Sequence, residues 1–252
     1  MEAKSRRANG AWGPSDRARA GLGTALDGLG HSDQWGIAVC GPETKRAENK
    51  PQQRRGTEMS IQCVIFDVGG VLLTLGEHAL RQEIAERFGL KSVPPEYESF
   101  VPAIQRGEIT ETEVWSRLAG REVECDFFEE LFIKHFPPNW EVIELAAELR
   151  GMGLRTAILS NTERTHGSAM RRMGFIKGFS PVFFSYEIGR RKPEREVYTY
   201  VLEQLELPPE RVAYVDDIAE YIEAAERLGI RAICFDGDVK ALRAKLLAMV
   251  KS

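Results

Sequence analysis

From residue 61 onward, short apolar runs alternate with longer segments whose apolar positions recur at helical spacing. The run 64–66 suits a strand that is buried on both faces, as the strands of a parallel sheet are. Similar runs predict strands at 156–159, 182–184, 212–215 and 230–235. Helical spacing predicts helices at 139–150, 163–173, 194–205, 218–228 and 239–250. This alternation predicts an α/β fold in which helices cover both faces of a parallel sheet.

A block of helices interrupts the alternation directly after the first strand. Apolar positions at helical spacing predict a helix at 77–88, and we also expect helices at 96–105, after a Pro-Pro pair, and in the aromatic-rich segment 126–136. Between them, Thr110 and Glu113 resemble a capping box, which starts a helix. The aromatic stripe of the last helix fits packing between helices better than cofactor binding. We therefore expect an all-helical unit at 76–138, inserted between the core segments 59–75 and 139–252.

Residues 1–58 differ in composition, because Gly, Ala, Arg, Gln and Pro dominate and no period persists. Such a segment buries too little apolar surface to fold, so we expect a disordered leader. Met59 stands directly before the first strand. This position suggests the hypothesis that the native chain starts at Met59, which the intact mass of the natural protein would test.

Composition excludes several classes of function. The chain of 252 residues has a formal net charge of -4, and its composition does not favour nucleic acid as a partner. No apolar run approaches the roughly 18 residues of a membrane span. Cysteines show neither a CxxC pair nor zinc-like spacing. Cys63 and Cys234 fall in strand-like runs, which predicts buried free thiols and a cytoplasmic location.

Polar side chains stand where the predicted strands end. The first strand ends at Asp67, the second at Ser160 and Asn161, and the fourth at Asp216 and Asp217. Lys192 lies in a loop just before a predicted helix. Open α/β sheets bind ligands outside the carboxyl ends of their strands, so we expect these groups to converge on one edge.

The chemistry of this set is that of phosphoryl transfer. Neighbouring carboxylates repel each other unless a cation joins them, and a few hard oxygen ligands suit Mg²⁺. Hydroxyl, amide and ammonium groups donate hydrogen bonds to phosphate oxygens, and an Asp carboxylate can attack phosphorus. Each segment alone could also be a turn cap, a helix N-cap or a charge on a helix dipole. Their joint order at successive strand ends favours a site.

Motifs at these positions resemble those of the haloacid dehalogenase-like hydrolase superfamily. The likeness lies in residues 66–72, 159–161, 191–193 and 215–217. It extends from 61 to 235 and implies a Rossmann-like core with an all-helical cap inserted after the first strand. Within the superfamily, the sequence is most similar to sugar-phosphate phosphatases, such as the alpha-D-glucose-1-phosphate phosphatases, and to the phosphatase domain of soluble epoxide hydrolases.

The resemblance implies an Mg²⁺-dependent phosphatase that hydrolyses a small phosphorylated metabolite, with a sugar phosphate as one candidate, through an aspartyl-phosphate. Asp67 would be the nucleophile, and Lys192 would stabilise both Asp67 and the phosphate. Ser160 would bind the transferred phosphoryl group, and Asn161 the phosphate or the substrate. The implied metal ligands are Asp67, the Gly69 carbonyl, Asp217 and, directly or through water, Asp216. We expect a monomer or a homodimer.

Two positions depart from the family's pattern. Its phosphatases usually carry a second Asp, an acid and base, where this chain has Gly69. A positioned acid or base is typically worth about 100- to 10,000-fold in rate. We expect that a cap residue or water replaces it, or that the leaving group is easily expelled, as from an anomeric phosphate. Tyr221 stands where related sequences often carry Asn, which weakens the metal's outer shell or narrows the entrance.

Two other functions are alternatives. The absence of a side chain at Gly69 favours a non-catalytic binding or regulatory protein that has kept the fold. A metal-independent 2-haloacid dehalogenase would also lack the second Asp. The paired acids Asp216 and Asp217 argue against the dehalogenase, because they favour a metal and a phosphate.

Overall fold

The computed structural model of the protein describes residues 60–251. The leader expected at 1–58 and the proposed start at Met59 lie outside the described residues. Within the described part, the strands are β1 (Cys63–Phe66), β2 (Arg155–Ser160), β3 (Val182–Phe184), β4 (Val212–Asp216) and β5 (Arg231–Cys234). The helices there are α1 (Glu77–Arg87), α2 (Tyr97–Gln105), α3 (Glu111–Ala119), α4 (Phe128–His135), α5 (Trp140–Gly151), α6 (Arg164–Met173), α7 (Ser185–Ile188), α8 (Arg195–Leu205), α9 (Ala219–Glu226) and α10 (Val239–Lys251).

The strands form one parallel sheet in the order β3-β2-β1-β4-β5. The register aligns Phe66 of β1 with Ile158 of β2 and with Val215 of β4. The next residues in the chain, Asp67 and Asp216, therefore come side by side at the carboxyl edge of the sheet. The predicted α/β fold with a parallel sheet is confirmed.

Alternate residues of β1 face opposite layers of the core. Val64 and Phe66 belong to the layer that contains apolar residues of α5 and α10. Cys63 and Ile65 belong to the other layer, which contains apolar residues of α8 and α9. Helices on both faces leave β1 without a solvated side, which explains why its sequence is apolar throughout.

Helices α1 to α4 lie between β1 and α5 in the chain, at the place of the expected helical unit. Helix α4 packs against both α1 and α6. Trp115, Phe128 and Phe132 are buried, so these rings fill the interior, as their spacing predicts. The capping box is also confirmed, because Thr110 and Glu113 each accept a hydrogen bond from the other's backbone N–H.

Some local features differ from the predictions. The short helix α7 has no counterpart among the predicted elements, because four residues are too few to show a helical period. Cys63 is a buried free thiol, as predicted. Cys234 is disulfide-bonded, so the prediction for it is wrong; it lies half-buried in the edge strand β5, where a sulfur is accessible. No helix in the described part of the chain is long and apolar enough to cross a membrane.

Candidate active site

The turn after β1 brings Asp67 and two glycines to the edge of the sheet. The backbone N–H of Asp67 donates to the carbonyl of Val215, at 2.9 Å, which continues the pairing of β1 with β4. Gly70 then has a φ of +73°, and a Cβ built there would lie 2.0 Å from Oδ2 of Asp217. Only glycine fits this position, because the backbone and the Asp217 carboxylate approach so closely.

Lys192 joins two of the carboxylates. Its buried Nζ lies 2.8 Å from Oδ1 of Asp67 and 2.6 Å from Oδ2 of Asp216. Burial alone would lower the pKa of Lys192, but the charges of Asp216 and Asp67 raise it above its usual value. The lysine is therefore a fixed positive charge, placed between the first and fourth strand ends.

Asp67, Asp216 and Asp217 crowd their oxygens together. One carboxylate oxygen from each lies within 4.8 Å of the others. Burial raises the pKa of Asp67 to about 7. The charge of Lys192 opposes this shift, and the charge of Asp216 adds to it. Burial also raises the pKa of Asp217 to about 8, with further increases from Asp67 and Asp216. Three carboxylate oxygens this close fit a divalent cation such as Mg²⁺, which would offset their mutual repulsion.

The two adjacent acids differ in their surroundings. Asp216 is fully buried, its Oδ1 accepts from the Ile218 N–H at 2.9 Å, and its Oδ2 accepts from Lys192 and from the Tyr214 hydroxyl. Asp217 instead lines the adjoining cavity. Asp217 is thus the better placed of the two to contact an ion in the cavity.

Ser160 and Asn161 follow the end of β2, as predicted, and both line the same cavity. The Asn161 amide, however, is engaged with the main chain of Lys192. Its Nδ2 donates to the Lys192 carbonyl at 2.9 Å, and its Oδ1 accepts from the Lys192 N–H at 2.8 Å. Nδ2 also donates to the Tyr221 hydroxyl at 3.3 Å. These contacts make Asn161 a support for the Lys192 loop.

The cavity next to these groups has a volume of about 460 Å³. Residues of the helical unit complete its wall, and the polar ones among them are Glu77, Arg81, Glu98 and Gln105. Arg81 is buried; it donates to Glu77 and, at 3.1 Å, to Glu98. These wall residues were not predicted from the sequence, although the spacing of Glu77 and Arg81, one helical turn apart, is a visible signal.

A smaller cavity of about 90 Å³ adjoins the first and shares Gly69, Glu77 and Ser160 with it. Glu163 and His166 line this smaller cavity. Nε2 of His166 lies 3.7 Å from Oε2 of Glu163, and burial lowers the pKa of His166, which disfavours a charged imidazole at this place.

A buried carboxyl pair joins the helical unit to the core. Glu163 lies beside Glu111, and an oxygen of each, together with a nitrogen of His166, falls within 4.8 Å. Burial, together with the charge of Glu163, raises the pKa of Glu111 well above its usual value. Oε2 of Glu111 accepts from the Thr165 N–H at 3.2 Å, so this contact also holds the start of α6.

Known proteins resemble this chain in sequence and in fold. Residues 61–229 match the family described as haloacid dehalogenase-like hydrolase. A sesquiterpene phosphatase from Aspergillus oryzae is 26% identical over 178 residues, which cover 68% of this chain and 88% of that protein. A phosphorylated carbohydrates phosphatase from Thermotoga maritima is 28% identical over 186 residues, covering 69% of this chain and 84% of that protein. A magnesium complex of an HAD family enzyme from Bacteroides thetaiotaomicron matches with a TM-score of 0.62 at 22% identity, over 71% of this chain and 95% of the other.

The chain belongs to the haloacid dehalogenase-like hydrolase family, whose match covers residues 61–229 of 252. The expected family and the expected hydrolase class are confirmed, and the names of the two relatives support the phosphatase class. The structure brings Asp67, Ser160, Lys192 and Asp217 to one cavity, as the sequence predicts. Their individual roles stay predictions.

Proposed function

We propose that this protein is an Mg²⁺-dependent phosphatase that hydrolyses a small phosphorylated metabolite through an aspartyl-phosphate on Asp67. The observation that carries the proposal is the position of the Lys192 ammonium, 2.8 Å from Asp67 and 2.6 Å from Asp216, at a cavity that Asp217 also lines. This combination offers a nucleophile, a fixed cation and metal-binding carboxylates to one substrate.

The residues that would hold Mg²⁺ are Asp67, the Gly69 carbonyl and Asp217, with Asp216 acting directly or through water. The close carboxylate oxygens support this set. When bound, Mg²⁺ neutralises negative charge on the carboxylates and on the phosphoryl oxygens.

The chain's own residues account for the remaining steps. Asp67 attacks phosphorus, so that a bond from its carboxylate oxygen forms while the bond to the leaving group breaks. Lys192 holds the attacking carboxylate in place and offsets charge on the phosphoryl group. Ser160 donates a hydrogen bond to a phosphoryl oxygen. Asn161 holds the main chain of Lys192 in place, in addition to the contact with phosphate or substrate that the family resemblance implies. Water then releases phosphate from Asp67.

The shape and lining of the cavity support a small, polar substrate. A volume of about 460 Å³ with several charged side chains suits a molecule the size of a phosphorylated sugar. The Thermotoga maritima relative, by its name, acts on phosphorylated carbohydrates. We propose that helices α1 to α4 form the cap that closes over this substrate, since α1 and α2 supply the wall residues Glu77 and Glu98. An easily expelled leaving group, such as an anomeric hydroxyl, would also suit the absence of an acid at Gly69. The cytoplasmic location stays a prediction.

The test is phosphate release from a panel of phosphorylated metabolites, measured with Mg²⁺ and with EDTA, for the native protein and for Asp67→Asn. We expect release that requires Mg²⁺ and that falls to background in the variant. Asp236→Asn is the matched control, because this aspartate follows β5 but is exposed, and its activity should equal the native one. Binding without turnover would support the non-catalytic alternative. Halide release from 2-haloacids in EDTA would support the dehalogenase.

A further inference from the structure

Hydrolysis of an aspartyl-phosphate needs a group that accepts a proton from the attacking water. Gly69 has no side chain to do so. Within the described residues, the carboxylates that line the larger cavity are Asp67, Asp217, Glu77 and Glu98. In the proposed reaction Asp67 carries the phosphoryl group and Asp217 holds the metal. The candidates that remain are Glu77 and Glu98, both from the helical unit.

Glu77 is the better placed of the two. It lines the larger cavity together with Asp67, and it also lines the smaller cavity beside Gly69, whereas Glu98 lines the larger one alone. The chain path explains this position. Residue 73 pairs with residue 69 in a β-bridge, and a Cβ built on Gly69 would lie 3.5 Å from Cδ2 of Leu75. The segment that leads into α1 therefore folds back over Gly69, and Glu77 is the first residue of that helix.

Arg81 fixes the orientation of this carboxylate. Its buried guanidinium lies one helical turn after Glu77 and donates to Oε1 of Glu77. A charge-assisted hydrogen bond of this kind gives the carboxylate a defined orientation. Oε1 is held by Arg81, and Oε2 is the oxygen that would accept the proton from water. His166 is a weaker candidate, because it lines the smaller cavity and not the larger one.

We propose that Glu77 is the general base for hydrolysis of the Asp67 aspartyl-phosphate, taking the place of a side chain at position 69. This inference rests on the proposed function. In the step, the water oxygen bonds to phosphorus while the bond between phosphorus and the Asp67 oxygen breaks. The electron pair of the broken bond returns to the Asp67 carboxylate. The water proton passes to Oε2 of Glu77 and then to solvent, and inorganic phosphate is the product.

The experiment is an acid quench of the full-length enzyme, loaded with Mg²⁺ and turning over the best ³²P-labelled substrate of the panel. Label on the protein that hydroxylamine removes is the acyl-phosphate. In Glu77→Gln we expect the labelled fraction to approach one per enzyme and turnover to fall by about 100- to 10,000-fold, the usual contribution of a positioned base. Product release should show a burst of one equivalent, because the first step is intact.

Glu98→Gln is the matched control, because Glu98 also accepts a hydrogen bond from Arg81 and lines the same cavity. Its labelled fraction should stay below that of Glu77→Gln, whatever its effect on substrate affinity. Gly69→Asp in the Glu77→Gln background should restore hydrolysis, since a Cβ at Gly69 meets only an ordinary contact, 3.5 Å from Leu75. Glu77→Asp keeps a carboxyl group beside Arg81 and is the second variant in case Glu77→Gln does not fold. It should slow hydrolysis less than Glu77→Gln.

The outcomes distinguish a failure of the proposed function from a failure of the role proposed for Glu77. If the native enzyme and Glu77→Gln both fail to form a hydroxylamine-sensitive label on Asp67, the proposed function is wrong. If the label forms but Glu77→Gln and Glu77→Asp hydrolyse it at the native rate, the reaction stands and the role of Glu77 is wrong. Equal accumulation in Glu98→Gln would also overturn it, since the effect would then come from Arg81.

Discussion

The side-chain amide of Asn161 pairs with both backbone groups of Lys192. One bond runs from Nδ2 to the Lys192 carbonyl at 2.9 Å, and the other runs from the Lys192 N–H to Oδ1 at 2.8 Å. The end of β2 thereby fixes the loop from which Nζ of Lys192 reaches Asp67. A residue expected to contact phosphate or substrate is also bonded to the main chain of Lys192, which we propose holds the nucleophile.

This pairing predicts the effect of Asn161→Leu, which keeps the volume of the side chain but removes both hydrogen bonds. The buried Lys192 N–H loses its partner, which should cost about 1–3 kcal/mol of unfolding free energy. Turnover should fall more than substrate affinity, because Lys192 would no longer hold Asp67 in place. Urea denaturation and steady-state kinetics measure the two effects. Asn139→Leu is the control, since the Asn139 side chain makes no capping bond to α5. A native kcat in Asn161→Leu would contradict the positioning role.

The contact between Gly70 and Asp217 predicts a second effect. Gly70→Ala places a Cβ 2.0 Å from Oδ2 of Asp217, so the carboxylate must move. Gly120 has a similar φ of +65°, with nothing within 4 Å of its built Cβ, which makes Gly120→Ala the matched control. Both variants should lose about 1–2 kcal/mol of unfolding free energy from backbone strain. Only Gly70→Ala should weaken Mg²⁺ binding in a calorimetric titration. Equal Mg²⁺ affinity in both variants would show that Asp217 does not bind the metal.

The buried pair of Glu111 and Glu163 predicts a pH dependence of stability. The folded-state pKa of Glu111 is raised well above its usual value of 4.5, first by burial and then by Glu163. The folded state therefore binds more protons than the unfolded state above pH 4.5, and the free energy of unfolding falls as pH rises from there. Glu111→Gln cannot ionise, so its free energy of unfolding should decline less between pH 5 and pH 9 than that of the native protein.

Glu113→Gln is the control for this measurement. Glu113 lies in the same first turn of α3, but hydrogen bonds from the Thr110 N–H and hydroxyl lower its pKa. Its contribution to stability is lost only as pH falls through that lowered value, so the slope above pH 5 should stay native. If Glu111→Gln and the native protein show parallel pH profiles in urea denaturation, the protonation of Glu111 is not linked to folding.

The sequence could predict the parts of the site that follow from strand topology. Asp67 and Asp216 each close an apolar run, and parallel strands must bring such ends to one edge. The same logic gives Ser160 and Asp217. Strand topology does not predict the pairing of Asn161 with Lys192. A side-chain hydrogen bond between residues far apart in the chain depends on the conformation of a loop, and no periodic sequence pattern indicates that conformation.

The residues that line the cavity wall could not be predicted from the sequence either, because their position depends on tertiary packing. Glu77 and Arg81 look like an exposed helical ion pair, and only the packing of the helical unit against the core buries Arg81 beside the carboxyl edge of the sheet. Cys234 shows the same limit, since an apolar run marks β5 as a strand but does not reveal that β5 lies at the edge of the sheet.

The proposed function requires Asp67, Lys192 and Asp217 to gather around one divalent ion and one phosphoryl group. Its most direct test is a crystal structure of the protein with Mg²⁺ and beryllofluoride, which mimics a phosphoryl group on a carboxylate. We expect beryllofluoride on a carboxylate oxygen of Asp67, contacted by Lys192, and Mg²⁺ bound by Asp67, the Gly69 carbonyl and Asp217. An Mg²⁺ ion bound away from this edge, or beryllofluoride attached to another residue, would contradict the account.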